Sequence, residues 1–160
     1  MGGRSEYLCY TDGACKAAHG GAGGWGFHIR PPSGPPIERY GKQTGTMAKV
    51  MEYRAVAEAL AVLPEGAMAV VFSDNQSLVE NLSKNLETWR ARDFAKVDPL
   101  VVESVRHIDR AITDKQLVVR WEWVRGHKGN IGNERADELA AQGAREAKAD
   151  VASEKPRGRR

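Results

Sequence analysis

Four acids in this chain stand where a carboxylate is hard to place without chemistry to explain it. Asp12 ends an alternating apolar stretch and is followed at once by glycine, in "YTDGAC" at 10–15. If that stretch enters a core, an unpaired charge there is strongly disfavoured, so Asp12 requires water or a cation. Glu52 has Ala55, Val56 and Ala59 three, four and seven residues later, which puts it on the apolar face of a helix. Glu58 instead follows Arg54 at i, i+4 spacing and reads as a solvated pair. Asp74 comes where the apolar run "AVVFS" ends and a helix begins. That is the usual location of ligands in α/β sheets, and equally a common place for a helix N-cap. Asp137 has Ala140, Ala141 and Ala144 on its face, and Glu134 one turn earlier shares nearly the same face and could serve in its place. Acids converging from separate elements repel unless cations neutralise them, and hard oxygen ligands of this kind suit Mg²⁺ or Mn²⁺.

The elements that must carry these acids follow from hydrophobic period. Residues 6–12 alternate as a strand, with Leu8, Tyr10 and Asp12 on one face. A second strand runs from Gly24 to Arg30 with Trp25, Phe27 and Ile29 on one face, "PPSGPP" makes a turn, and a third strand spans Ile37 to Thr44. Short connections make these three an antiparallel meander. From Ala48 to Leu63 the period becomes helical, and Pro64 and Gly66 end it. "AMAVVFSD" (67–74) is a short apolar run suited to a central strand buried on both faces. Helical segments at 76–90 and 99–113, an alternating strand at 117–124 and a last helix from an Asn133 N-cap to about Lys148 complete the order. Strands and helices arranged βββ, α, β, αα, β, α imply a mixed sheet covered by helices, an α/β fold.

At 160 residues the chain suits one domain with a substantial core. A charged fraction of 28% and a hydrophobic fraction of 41% are ordinary for a soluble protein. No apolar run approaches the roughly 20 residues of a membrane helix. "MGGRSEYLCY" lacks the apolar centre of a signal peptide, so the expected setting is a reducing cytoplasm with Cys9 and Cys15 as free thiols. The net charge of +3 suits a polyanionic partner. From Ala144 onward six basic and three acidic residues account for it, leaving the body near neutral. The expected division is a flexible N-terminus at 1–5, a catalytic domain at 6–148 and a basic, disordered tail at 149–160.

Five blocks together carry a family resemblance. "YTDGAC" (10–15), "MEYRAVAEAL" (51–60), "SDNQ" (73–76), "WEWVRGH" (121–127) and "NERADELA" (133–140) occur in the order and approximate spacing of type 1 ribonuclease H. The resemblance runs from about Glu6 to Ala144. It implies a ribonuclease H-like fold, a five-stranded mixed sheet of three antiparallel strands plus two parallel ones, flanked by helices. It also implies that Asp12, Glu52, Asp74 and Asp137 hold two divalent cations, selecting Asp137 over Glu134. The implied reaction is endonucleolytic hydrolysis of the RNA strand of an RNA/DNA hybrid, leaving 5′-phosphate and 3′-hydroxyl ends. His127, ten residues before Asp137, matches the family's histidine that assists proton transfer or product departure.

For substrate contacts the resemblance points to Gly13, Cys15 and Gln76 near the acids, with Gln76 reading the minor groove, and to Trp89 and Arg90 farther along. The family's long basic protrusion is shortened to "WRARDFAKVDP" (89–99), where Trp89 or Phe94 could still stack on the DNA strand. "TGTMAKVME" lacks the paired asparagines often found before the catalytic helix. The expected protein acts as a monomer on a hybrid and not on a membrane. Two rivals remain: a nuclease of the same fold acting on double-stranded RNA or DNA, and a catalytically silent hybrid-binding module.

Overall fold

The computed structural model describes residues 5–126 and 129–154. Strand β1 (Glu6–Lys16), β2 (Ala22–Arg30) and β3 (Ile37–Gln43) form the meander, followed by helix α1 (Ala48–Ala61) and strand β4 (Met68–Ser73). Helices α2 (Gln76–Ala91) and α3 (Val102–Asp114), strand β5 (Val118–Trp123) and helix α4 (Ile131–Glu154) complete the chain. The sheet order is β3-β2-β1-β4-β5. β1 pairs antiparallel with β2 and parallel with β4, β2 pairs antiparallel with β3, and β4 pairs parallel with β5. This is the five-stranded mixed sheet expected from the resemblance.

The helices divide between the two faces of the sheet. Phe27 and Ile29 of β2 and Val71 of β4 pack with Met51, Val56 and Leu60 of α1, Leu78 and Leu82 of α2, and Val105 and Ile108 of α3. All of these are essentially buried, and they make the main core. On the opposite face α4 lies directly against β2, where large side chains are replaced by glycine. A Cβ on Gly26 would stand 2.6 Å from the Leu139 Cβ and 2.8 Å from the Ala140 nitrogen. Ala136, Leu139, Ala140, Ala144 and Ala147 are the buried stripe of α4, small enough for this close approach.

α4 departs from expectation at both ends. It starts at Ile131, and Asn130 rather than Asn133 caps it, accepting the Asn133 N–H at 2.9 Å through Oδ1. Asn133 itself is buried, one turn too deep to serve as the cap. At the other end the helix continues through Glu154, so residues 149–154 are not the disordered tail expected there. Tertiary contact accounts for the extension: Asp150 pairs with Lys42 of β3 at 2.8 Å, and Val151 lies beside Gly20. Residues 155–160, the remainder of that tail, and most of the 1–5 segment lie outside the described residues. No helix among the described residues is long and apolar enough to cross a membrane.

Candidate active site

The carboxylates meet where the parallel strands end. The last β1–β4 pair is Tyr10 with Phe72, and two residues farther on each strand come Asp12 and Asp74. Neighbouring parallel strands thus deliver two acids to the same level, at the carboxyl end of β4 where the chain turns into α2. Asp12 pairs across the sheet with Gly26, the residue whose missing side chain admits α4. That approach brings Asp137 beside Asp12, near enough for a carboxyl of one to hydrogen-bond the other.

Glu52 arrives by a second close approach. A Cβ on Gly13 would lie 2.5 Å from the Met51 carbonyl carbon and 2.8 Å from the Glu52 Cα, so only glycine lets the first turns of α1 touch β1 here. Gly13 also donates its N–H to Asp12 Oδ1 at 2.9 Å. The glycine that follows Asp12 in the sequence therefore has a geometric role, setting Glu52 against the strand that carries Asp12.

The electrostatics of the four positions reflect acids crowded together. Asp12 is 7% exposed. Burial first, then the charge of Asp74 and the hydrogen bond and charge of Asp137, push its carboxyl up to about 8, against a smaller lowering by the Gly13 N–H. Glu52, half-buried, is raised by burial and by Asp74, and opposed by a hydrogen bond from Asn75. Asp74 is raised by burial and by Asp137. Asp137 is exposed, at the open rim of the cluster rather than turned into the body as its alanine-rich face suggested. Among the described residues no three His, Cys, Asp or Glu side chains close around a single point. The acids stand as repelling neighbours, and Glu52 is turned toward Asn75.

Two ambiguities in the sequence resolve by geometry. Asp74 is not the cap of α2: Asn75 is, its Oδ1 accepting the Leu78 N–H at 3.0 Å. Asp74 is thereby left facing the other acids. Glu134 accepts the Gly129 N–H at 2.7 Å, serving the start of α4, while Asp137 is the acid of that helix that reaches Asp12 and Asp74. Asn75 is the residue that sequence reading missed. Its Nδ2 donates to Glu52 Oε1, a contact between residues 23 positions apart, signalled only by its place after Asp74.

The remaining expected site residues divide. Gln76 is exposed at the first turn of α2, beside Asp74, with its amide donating to Glu80 at 3.4 Å. Cys15 is half-buried on β1 and donates to the Thr46 carbonyl at 3.3 Å, and both cysteines are free thiols. Trp89 and Arg90 are not drawn into the cluster. They sit at the far end of α2, about 20 Å along the helix from Gln76. Trp89 is half-buried against the core, and Arg90 pairs with Asp109 of α3 at 2.7 Å. Phe94 is only 9% exposed, with the Arg106 guanidinium 4.9 Å over its ring, so it has no free face for stacking on a strand. His127 lies outside the described residues. Its neighbour Gly126 packs on Asp74, since a Cβ there would fall 2.6 Å from Oδ2.

Comparison with known proteins agrees with this fold. The family described as RNase H matches residues 4–145. A ribonuclease H of Polaromonas naphthalenivorans is 36% identical over 143 residues, covering 88% of this chain and 88% of that protein. One from Chromobacterium violaceum is 39% identical over 136 residues, covering 84% and 91%. Among solved structures, LC9-RNase H1, described as a type 1 RNase H with the type 2 active-site motif, superposes with a TM-score of 0.72 at 23% identity, over 89% of this chain and 74% of that one. LC11-RNase H1, solved in complex with RNA/DNA hybrid, gives 0.64 at 20% identity, over 88% and 98%. With a fold, a sheet order and a match spanning nearly the whole described chain in agreement, the protein belongs to the type 1 ribonuclease H family.

Proposed function

We propose that this ribonuclease H cuts the RNA strand of RNA/DNA hybrids internally, with two divalent cations held by Asp12, Glu52, Asp74 and Asp137. The observation that carries the reading is the placement of Asp12, buried and flanked by Asp74 and Asp137 with no basic side chain among the groups that shift it. Such a group is a poor structural element and a good cation ligand, because a divalent ion offsets the burial, and removes the repulsion, that together raise its pKa. The donor set is all hard oxygen, which favours Mg²⁺, with Mn²⁺ as the alternative.

Held by these four acids, a pair of divalent ions would supply Lewis acidity for the attack of water on a phosphodiester and for departure of the leaving oxygen. The chain's own residues do the rest. Asp12, fixed by the Gly13 N–H, anchors the cluster from the sheet, and Asp137 at its exposed rim keeps one side open to a polyanionic duplex. Gly13 and Gln76, beside Asp12 and Asp74 in the chain, and Cys15 farther along β1 are assigned to the wide, shallow minor groove, whose 2′-hydroxyls distinguish RNA from DNA. His127 takes the proton-transfer role. Trp89 and Arg90, one helix length away, are assigned to the DNA strand of the same duplex rather than to the cleavage point. The reading includes a monomer acting in the cytoplasm, and the likeness to a chain solved with RNA/DNA hybrid supports the choice of substrate.

The test is cleavage of one labelled sequence as RNA/DNA hybrid, double-stranded RNA, single-stranded RNA and DNA duplex, with Mg²⁺ and with EDTA. Internal cuts confined to the RNA strand of the hybrid, dependent on Mg²⁺ and absent in Asp12→Asn, are expected. Cutting of the other duplexes would overturn the substrate, and retention of hybrid without cutting would overturn the activity.

A further inference from the structure

Asn75 holds two unlike groups with the two ends of one amide. Its Oδ1 accepts the Leu78 N–H at 3.0 Å and caps α2, while its Nδ2 donates to Glu52 Oε1 on α1. Its own backbone N–H is tied down too, donating to Ser73 Oγ at 3.1 Å. The cap decides which way the amide faces. With the oxygen committed to a helix N–H, the NH₂ must point to the opposite side, and that side is occupied by Glu52. Asn75 is the hydrogen-bond donor to the Glu52 carboxylate among the described residues, and it opposes the burial and the Asp74 charge that disfavour that carboxylate.

We infer that Asn75 is a positioning residue for the reaction: it engages one oxygen of Glu52 and thereby presents the other to the cation. This deepens the proposed function and rests on it. A half-buried glutamate has three side-chain torsions to lose before it can ligate, and a ligand fixed beforehand binds at lower cost in ordering. The contact between Asn75 and Glu52 also links the start of α2, next to Asp74, to α1, so the spacing of two acids depends on one side chain. Other capping residues cannot do both tasks. Serine caps as well as asparagine, yet its hydroxyl is committed to the helix and too short to reach α1. Aspartate would cap while turning a second oxygen toward Glu52.

Asn75→Ser is therefore the informative variant, with Asn75→Ala, which loses the cap as well, as its control for stability. Asn75→Ser keeps the cap and is expected to lose less Tm than Asn75→Ala, while kcat on the hybrid, measured well below the melting transition, falls about tenfold or more, the usual effect of losing an outer partner of a metal ligand. The KM for the hybrid should change little, and the Mg²⁺ concentration for half-maximal rate should rise. A calorimetric Mn²⁺ titration of the free protein should show weaker binding in the same variant. By NMR, the Asn75 side-chain NH₂ resonances should move in Glu52→Gln, with the Leu78 amide unmoved. An Asn75→Ser enzyme with wild-type kcat and cation requirement, or NH₂ resonances indifferent to Glu52, would overturn the inference. Failure of the wild-type protein to cut hybrids, or to need a divalent cation, would instead overturn the reading beneath it.

Discussion

Two acids of one sheet, Asp12 on β1 and Glu38 on β3, are treated oppositely by the same fold. Asp12 has other acids for neighbours, and its carboxyl is pushed up to about 8, by burial above all. Glu38 is gripped by Arg135 of α4, whose Nε and Nη2 donate to its two oxygens at 2.9 and 3.0 Å, and His28 Nδ1 stands 2.7 Å away. Arg135 first, with help from His28, holds it below the usual carboxylate range against a smaller effect of burial. β2 runs between the two regions: Gly26 lies opposite Asp12, and His28, two residues on, pairs with Glu38 across the sheet. α4 serves both, with Arg135 for the clamp and Asp137 for the acids. An acid paired with an internal guanidinium holds the fold together, whereas an acid left among acids weakens it.

Asp12→Asn gives the largest effect expected from this contrast. If Asp12 is lost as the proposed cation ligand, worth several kcal/mol of transition-state stabilisation, kcat should fall by about a thousandfold or more. The same change removes a group whose ionisation the folded state disfavours, so near neutral pH in EDTA the variant should melt above the wild type, and Mg²⁺ should raise the Tm of the wild type alone. A calorimetric scan with and without Mg²⁺ checks both, and a variant less stable than the wild type in EDTA would contradict the account of Asp12.

Gly26→Ala strikes between the regions. The new methyl would stand 2.6 Å from the Leu139 Cβ, forcing α4 away from β2. Denaturant melts should show a loss of about 1–3 kcal/mol, as overpacking usually costs, and activity should fall as Asp137 moves from Asp12. Glu38→Gln tests the clamp alone. Its pairs are partly open to water, with Glu38 28% and Arg135 42% exposed, so the loss should be only about 1–2 kcal/mol. Activity well below the melting transition should be retained, since Glu38 is not among the acids of the site.

In the pH profile of stability the two regions have different windows. Glu38 lies lower in the folded chain than its ordinary value of 4.5, so its contribution is present above that value and is lost as pH falls below it through the folded one. Asp12 is raised from 3.8 to about 8, so the folded state holds its proton the more tightly. Its favourable contribution is complete below 3.8 and declines as pH rises toward 8. In EDTA the wild type should therefore lose stability both in acid and toward pH 8. Asp12→Asn should reduce the second loss, leaving the part due to Glu52 and Asp74, and keep the first, and Glu38→Gln should reduce the first and keep the second.

Much of the architecture was legible because its signals are local. The alternation in 6–12 and 24–30, the helical period from Ala48 and the apolar run before Asp74 each report the face a segment buries, and the element order followed. The acids stood out because each breaks the pattern of its own segment. What went unread depends on partners distant in sequence. The glycines of "GGWGF" look like weak strand residues until α4 is laid on them. Asn75 reads as one polar residue in a helix start until Glu52 appears opposite its NH₂. The continuation of α4 through Glu154 depends on Lys42 and Gly20, which nothing in the sequence near 150 announces. Phe94 resembles a stacking residue, and only the tertiary structure covers it with Arg106.

From its sequence alone this protein is determined to be a mixed α/β fold with acids at the ends of specific elements, and the five blocks in order name its family. Which acids meet, which one pairs with arginine, and which helix end holds Glu52 were decided only by the tertiary structure. The physical reason is that periodicity encodes the direction a side chain takes from its own backbone, whereas charge interactions depend on distances of a few ångströms between backbones. Those distances are set by packing, here by the absence of a side chain at Gly13 and Gly26.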